Sequence, residues 1–200
     1  MKYDCFKNRN RFDLHHLIAF AYGRLVEDPP LHFEARLPAP PFLMLDRILS
    51  ITRDGSRGWI AAEQDIRLDA WYFQCHFPGD PVQPGCLCVD AIWQLLGFYC
   101  VWRGATGAGR ALGSNEIRFQ GQIRPYNKVV RFELMVTRFQ ELKKTGTSLA
   151  VADGKVFVDD EPIADVRSAR VGVFQEITYP DYPEPSPHST GGMNREKKVV

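Results

Sequence analysis

Two side chains fourteen residues apart, His76 and Asp90, are placed by type and surroundings to move protons. His76 lies in WYFQCHFPGDPVQPG, whose three prolines and two glycines make a stiff, irregular loop beside aromatic rings. An imidazole titrates near neutrality, so a loop that holds it still could present it as a base to a carbon acid. A histidine that only satisfies its neighbours' hydrogen bonds would read the same way. Asp90 and Gln94 are the only strongly polar side chains in the apolar run CLCVDAIWQLLGFYCV, and their spacing of four puts both on one face of a helix. A carboxylate there must be hydrogen-bonded, paired or protonated, which suits an acid catalyst and a structural aspartate alike. Pro84-Gly85 stands immediately before that helix. The first amides of a helix have no acceptor of their own, so the amides of Gly85 and Cys86 could hold the charge that develops on a carbonyl oxygen. Pro-Gly as mere punctuation remains the alternative.

The cysteines permit a different chemistry on paper. Cys75, His76, Cys86 and Cys88 could be drawn as zinc ligands, but Cys86 and Cys88 are separated by one residue instead of the usual two to four. On a helix they point about 200° apart, which one ion does not bridge easily. A nucleophilic Cys86 is also a weak reading, because burial in apolar sequence opposes the pKa-lowering effect of a helix start. Five cysteines, an odd number lying mostly in apolar sequence, fit reduced thiols better than a disulfide framework.

The elements that must position these residues follow from pattern. The run from Cys86 to Val101 is apolar almost all round, bounded by Pro84-Gly85 and Arg103-Gly104, and reads as a buried helix. It falls short of the roughly 20 apolar residues that span a bilayer, so no membrane insertion is expected. Asn10 can cap a first helix carrying Leu14, Leu17, Ile18, Ala21 and Leu25, with Gly23 near its end. Prolines 29, 30, 38, 40 and 41 then enforce an extended connection. Phe42 to Thr52 and Gly58 to Ile66 read as a hairpin around Asp54-Gly55. Val130, Phe132, Leu134 and Val136 alternate with Arg131, Glu133 and Thr137 as a half-buried strand does. Further strands are expected at Thr147 to Ala152, Lys155 to Val158 and Ile163 to Phe174, with turns at Asp153-Gly154 and Asp159-Asp160. The fold class is α+β, an antiparallel sheet wrapped around one long helix. Residues 1–179 read as one domain and 180–200, rich in Pro, Ser, Gly and charge, as a disordered tail.

Charge excludes more than it identifies. Twenty-five basic residues nearly cancel 24 acidic ones, for a net charge of +1, so nucleic acid is not an expected partner. The charged and polar opening from Met1 to Arg11 has no secretory pattern, and a cytoplasmic location is expected.

The run CHFPGDPVQPGCLCVDAIWQLLGFY, continued by GRALGSNEIRFQGQIRP, resembles the active-site segment of bacterial β-hydroxydecanoyl-acyl-carrier-protein dehydratase/isomerases. The likeness runs from about Leu37 to Gln175 and takes in LPAPPFLMLDRI, DIRLDAWYF and ADGKVFVD. It implies a hot-dog fold, a homodimer with sites at its interface, and no metal or organic cofactor. It places the family's catalytic histidine on His76 and its catalytic aspartate on Asp90, with His76 of one protomer facing Asp90 of the other. The amides of Gly85 and Cys86 would hold the thioester oxygen, with Gln94 at the substrate site. The implied reaction is dehydration of a (3R)-3-hydroxyacyl group on acyl carrier protein to the trans-2-enoyl product, in fatty-acid biosynthesis. Aspartate at position 90, where dehydratases without isomerase activity usually have glutamate, leans toward trans-2/cis-3 isomerisation as well. Gln83, often apolar in the family, Cys88, commonly a glycine, and the sequence Ser114 to Glu116 depart from the pattern, as does a longer hairpin near Glu141 to Gly146. An acidic carrier would dock on a local basic patch, for which Arg124, Lys128, Arg138, Lys143 and Lys144 are candidates. The competing functions are an acyl-thioesterase on the same fold and a non-catalytic carrier-binding subunit of a synthase.

Overall fold

Val130, Phe132, Leu134 and Val136 are all fully buried, and the strand they define sits in the middle of the sheet that wraps the long helix. The computed structural model describes residues 1–142 and 144–175. The tail and Lys143 lie outside the described residues. In chain order the elements are α1 (Tyr3–Asn8), α2 (Leu14–Ala21), β1 (Arg47–Asp54), β2 (Arg57–Asp65), a 3-10 turn (Trp71–Gln74) and α3 (Gly85–Trp102). There follow β3 (Ala108–Gly113), β4 (Glu116–Phe119), β5 (Val129–Leu142), β6 (Thr147–Val158) and β7 (Glu161–Phe174). The seven strands pair antiparallel in the order β1-β2-β5-β6-β7-β3, with β4 also paired to β7. Helix α3 packs on β5, β6 and β7, which is the hot-dog arrangement.

The hairpin of β1 and β2 turns at Gly55 with φ +54°, and Asp159 and Asp160 (φ +47° and +71°) make the tight turn between β6 and β7. Asp153-Gly154 is not a turn. Strand β6 runs straight through it, with only a slip in its register against β7 between Ala152 and Gly154. Gly154 serves packing instead: a Cβ there would lie 2.9 Å from Ile92 Cδ1 and 3.3 Å from its Cγ2, so the missing side chain is what lets α3 approach the sheet. Gly154→Ala is expected to cost about 1–3 kcal/mol by overpacking, read as a lowered denaturation midpoint with an unchanged m-value.

The first helix also differs from expectation. Asp13, not Asn10, caps α2, its carboxylate accepting from the His16 amide, and the chain before it forms the separate helix α1. These two helices and the link between them bring Phe6, Phe20 and Phe12 against Phe98 of α3, with ring centroids 5.0–5.9 Å apart. Trp102 Nε1 donates to the Arg9 carbonyl at 2.8 Å, closing the same contact. Helix α3 is 18 residues long and apolar enough to cross a membrane by composition, but most of it is buried inside this fold. Its less covered positions are Gly85, Cys86, Asp90, Trp93 and Gly97, a stripe along one face.

Candidate active site

The loop before α3 is pinned from several sides. The His76 amide donates to the Tyr72 carbonyl at 2.8 Å, and the Val82 amide donates back to the His76 carbonyl at 2.9 Å. Phe77 and Asp80 bond to each other reciprocally across Gly79, whose φ is +82°, and the Gln83 amide donates to the Ile123 carbonyl. The imidazole itself is fixed by Nδ1, 2.9 Å from the Val82 carbonyl oxygen. A carbonyl can only accept, so Nδ1 carries the proton and the neutral ring has its lone pair on Nε2. The ring atom left free of the loop is therefore Nε2.

Helix α3 opens at Gly85 behind Pro84 with no side-chain cap. The Leu87 amide donates to the Pro84 carbonyl, while the amides of Gly85 and Cys86 meet no acceptor among the described residues. His76, Gly85 and Cys86 line one cleft of about 470 Å³ together with Gln83, Cys88, Phe119, Ile123 and Ile163. Phe119 lies over the helix start, where a Cβ on Gly85 would come within 2.8 Å of its ring. An imidazole and the two residues whose amides are free therefore line one cavity, the groups that removal of a proton beside a carbonyl would call on.

Asp90 lies in a second cleft, which shares no lining residue with the first and is walled by Phe42, Trp93, Gln94, Arg36 and Arg110 among others. Gln94 Nε2 donates to Asp90 Oδ2 at 2.6 Å and to the Phe42 carbonyl at 2.9 Å, while its Oε1 accepts from the Met44 amide at 3.0 Å. Phe42 and Met44 thus spend their backbone groups on Gln94, and β1 begins only at Arg47 instead of at Phe42. Burial pushes the Asp90 carboxyl above the usual carboxylate range, and the Gln94 hydrogen bond partly opposes that. Asp90 is accordingly suited to hold and give a proton. Gln94 sits beside Asp90 as its positioning residue and away from the helix-start amides.

Among the described residues, Arg124 and Lys128 lie apart from Arg138 and Lys144, and Lys143 is outside the described residues. Arg124 is engaged by Asp80, the Gln122 side chain and the Pro81 carbonyl. Lys128 precedes β5, whereas Arg138 lies near its other end, roughly 33 Å away at about 3.3 Å per residue. Lys144 follows that far end. Among the described residues no three His, Cys, Asp or Glu side chains come together in a way that could hold a metal ion. Cys86 is exposed and Cys88 buried, and burial pushes the Cys88 thiol up to about 12. Three contributors escaped the sequence reading: Trp93, Phe119 and the Val82 carbonyl. Trp93 had a signal, since it stands three residues after Asp90 and seven after Cys86 on the same helix face.

Residues 37–167 match the family model described as FabA-like domain. Solved structures of similar shape include the dehydratase heterocomplex ApeI:P from Xenorhabdus doucetiae, 14% identical over 68% of this chain and 84% of that one, TM-score 0.47. AziG of S. sahachiroi is 12% identical over 63% of this chain and 90% of its own, TM-score 0.44. A mutant thioesterase from Pseudomonas aeruginosa is 17% identical over 62% and 81%, TM-score 0.38. Similarity at this level bears on neither reaction nor substrate.

Proposed function

Because the chain belongs to the FabA-like family, we propose that it dehydrates a 3-hydroxyacyl group carried as a thioester on acyl carrier protein, giving the trans-2-enoyl product. The observation that carries this reading is the first cleft, where a base with its lone pair on Nε2 meets two unpartnered helix-start amides. His76 Nε2 takes the proton from C2, and the Gly85 and Cys86 amides hold the thioester oxygen as it becomes an enolate. Asp90 gives its proton to the C3 hydroxyl, the C3–O bond breaks, and the enolate electrons form the C2=C3 double bond as water leaves. His76 and Asp90 then exchange the proton gained and the proton lost through solvent or the departing water.

His76 and Asp90 of one chain face different clefts, so the working site in this proposal joins His76 of one protomer to Asp90 of a second copy. The outer edge of β3 carries no strand partner among the described residues, and beside it Leu112, Ile117 and Phe119 are exposed apolar side chains. A second copy pairing along that edge would cover them and bring the clefts together.

Incubating the purified protein with 3-hydroxydecanoyl-acyl carrier protein tests the reading. Enoyl product is expected, with its double bond then assayed for a cis-3 isomer. Release of free thiol without any enoyl product would instead identify a thioesterase.

The role of Gln94 gives a pH prediction. Its hydrogen bond favours the Asp90 carboxylate, so Gln94→Met is expected to raise the Asp90 pKa further. Asp90 acts in its protonated form, and activity falls as it loses that proton. The alkaline limb of kcat against pH should therefore move to higher pH in the variant, while kcat itself falls because the carboxyl is no longer oriented. A limb that moves to lower pH would count against Asp90 as the acid.

A further inference from the structure

Phe77 lies against the His76 imidazole itself. The two ring centroids are 3.9 Å apart, with 30° between the planes. Rings that close and that nearly parallel overlap face to face. Two neutral rings prefer an offset or edge-on meeting, with centroids about 4.5–7 Å apart. A cation over an aromatic face, by contrast, is the arrangement that the ring quadrupole favours. The contact therefore strengthens when the imidazole becomes positively charged.

Neither core packing nor a lining role accounts for the ring within the chain. Phe77 is 53% exposed and lines neither the His76 cleft nor the Asp90 cleft. Main-chain bonds put it in place: its amide donates to the Asp80 carbonyl at 3.0 Å, and the Asp80 amide donates back at 2.9 Å. Arg124 ties this turn to the segment before β5, donating to the Asp80 carboxylate and, at 3.1 Å, to the Pro81 carbonyl. The imidazole has its own anchor, Nδ1–H to the Val82 carbonyl. The two rings are thus placed by separate bonds, and weakening the attraction between them leaves both where they are.

Charge appears on His76 when Nε2 accepts the C2 proton. The nitrogen lone pair forms the new N–H bond, the C–H electrons pass into the enolate, and the positive charge spreads over the ring that faces Phe77. An interaction stronger after this transfer than before it lowers the barrier and adds nothing to substrate binding. The geometry points to Phe77 as a positioning residue whose aromatic face stabilises the imidazolium that His76 becomes during dehydration. This rests on the dehydratase reading, in which His76 is the base.

The test replaces Phe77 with 4-fluoro-, 3,5-difluoro- and 3,4,5-trifluorophenylalanine by amber-codon suppression. Each fluorine draws electron density from the ring face while nearly keeping the ring's shape and apolar character. A ring that only packs, on its own loop or against a second copy, loses nothing by this. The single-turnover rate of enoyl formation from saturating 3-hydroxydecanoyl-acyl carrier protein is expected to fall stepwise along the series, by about two- to fivefold in all. The substrate concentration at half-saturation should stay unchanged. Phe77→Tyr, which keeps the face, is expected near the wild-type rate, and Phe77→Leu, its thermal midpoint checked, at or below the trifluoro rate. A rate that is flat or rises along the series, a change confined to half-saturation, or a stably folded Phe77→Leu as fast as wild type overturns this inference and leaves the dehydratase reading standing. Absence of enoyl product from the wild type overturns both.

Discussion

His76→Asn is expected to lower kcat/KM for dehydration by about 10³-fold while leaving the fold intact. The choice of asparagine follows from the geometry. The imidazole makes one structural hydrogen bond, Nδ1–H to the Val82 carbonyl, and an asparagine Nδ2–H can make the same bond from the same loop. What asparagine lacks is a basic nitrogen where Nε2 stood. The rest of the loop is held by main-chain bonds at Tyr72, Val82, Phe77, Asp80 and Ile123, none of which involves the imidazole. Losing the side-chain bond altogether, as in His76→Ala, should cost only about 1 kcal/mol of stability. If the histidine merely braced the loop, His76→Asn would keep near-wild-type turnover and His76→Ala would be the damaging change. If it is the base, both variants are equally inactive, and denaturation midpoints close to wild type show that chemistry and not folding was lost.

The parts of this arrangement that were legible in the sequence share a physical trait: one face buried and one exposed, over enough residues for the period to register. Strand β5 shows it in Val130, Phe132, Leu134 and Val136, and α3 shows the limiting case, a helix apolar nearly all round and interrupted by Asp90 and Gln94. Strands β3 and β4 have no such contrast. All four residues of Glu116–Phe119 are exposed, and Ala108–Gly113 begins and ends among glycines, so neither alternates against a core. Helix α1 buries only Phe6 of its six residues, too few for a helical period to show. Asp153-Gly154 has turn chemistry, but close packing of Ile92 against the sheet explains the glycine, and only the tertiary contact reveals that.

The site divides in the same way. Type and spacing drew attention to His76, Asp90 and Gln94, and resemblance supplied a reaction. The partner that sets the His76 tautomer is a backbone carbonyl, and a carbonyl leaves no mark in a sequence. Gln64 and Gln83 are 19 residues apart and meet only because β2 runs beneath the loop. Gln83 stands out as a departure from family habit; its burial against Gln64 is a property of the packed interior.

Two heterodimers should give opposite answers about how the clefts combine. In the proposed assembly each site takes His76 from one protomer and Asp90 from the other, which would account for their separate clefts within one chain. Two differently tagged chains, one carrying His76→Asn and the other Asp90→Asn, are co-expressed and the mixed species isolated by sequential affinity steps. One of its sites then holds both intact residues and the other holds both replacements, so it should recover about half the wild-type kcat although each homodimer is inactive. The second species pairs a wild-type chain with a chain carrying both replacements. There each site has lost one member of the pair, and activity should be near zero. Were His76 and Asp90 to act within a single chain, the outcomes would be exchanged, with no recovery in the first species and half activity in the second. A small contribution from residual homodimer cannot mimic this result, since wild-type homodimer raises only the second species, against the predicted direction.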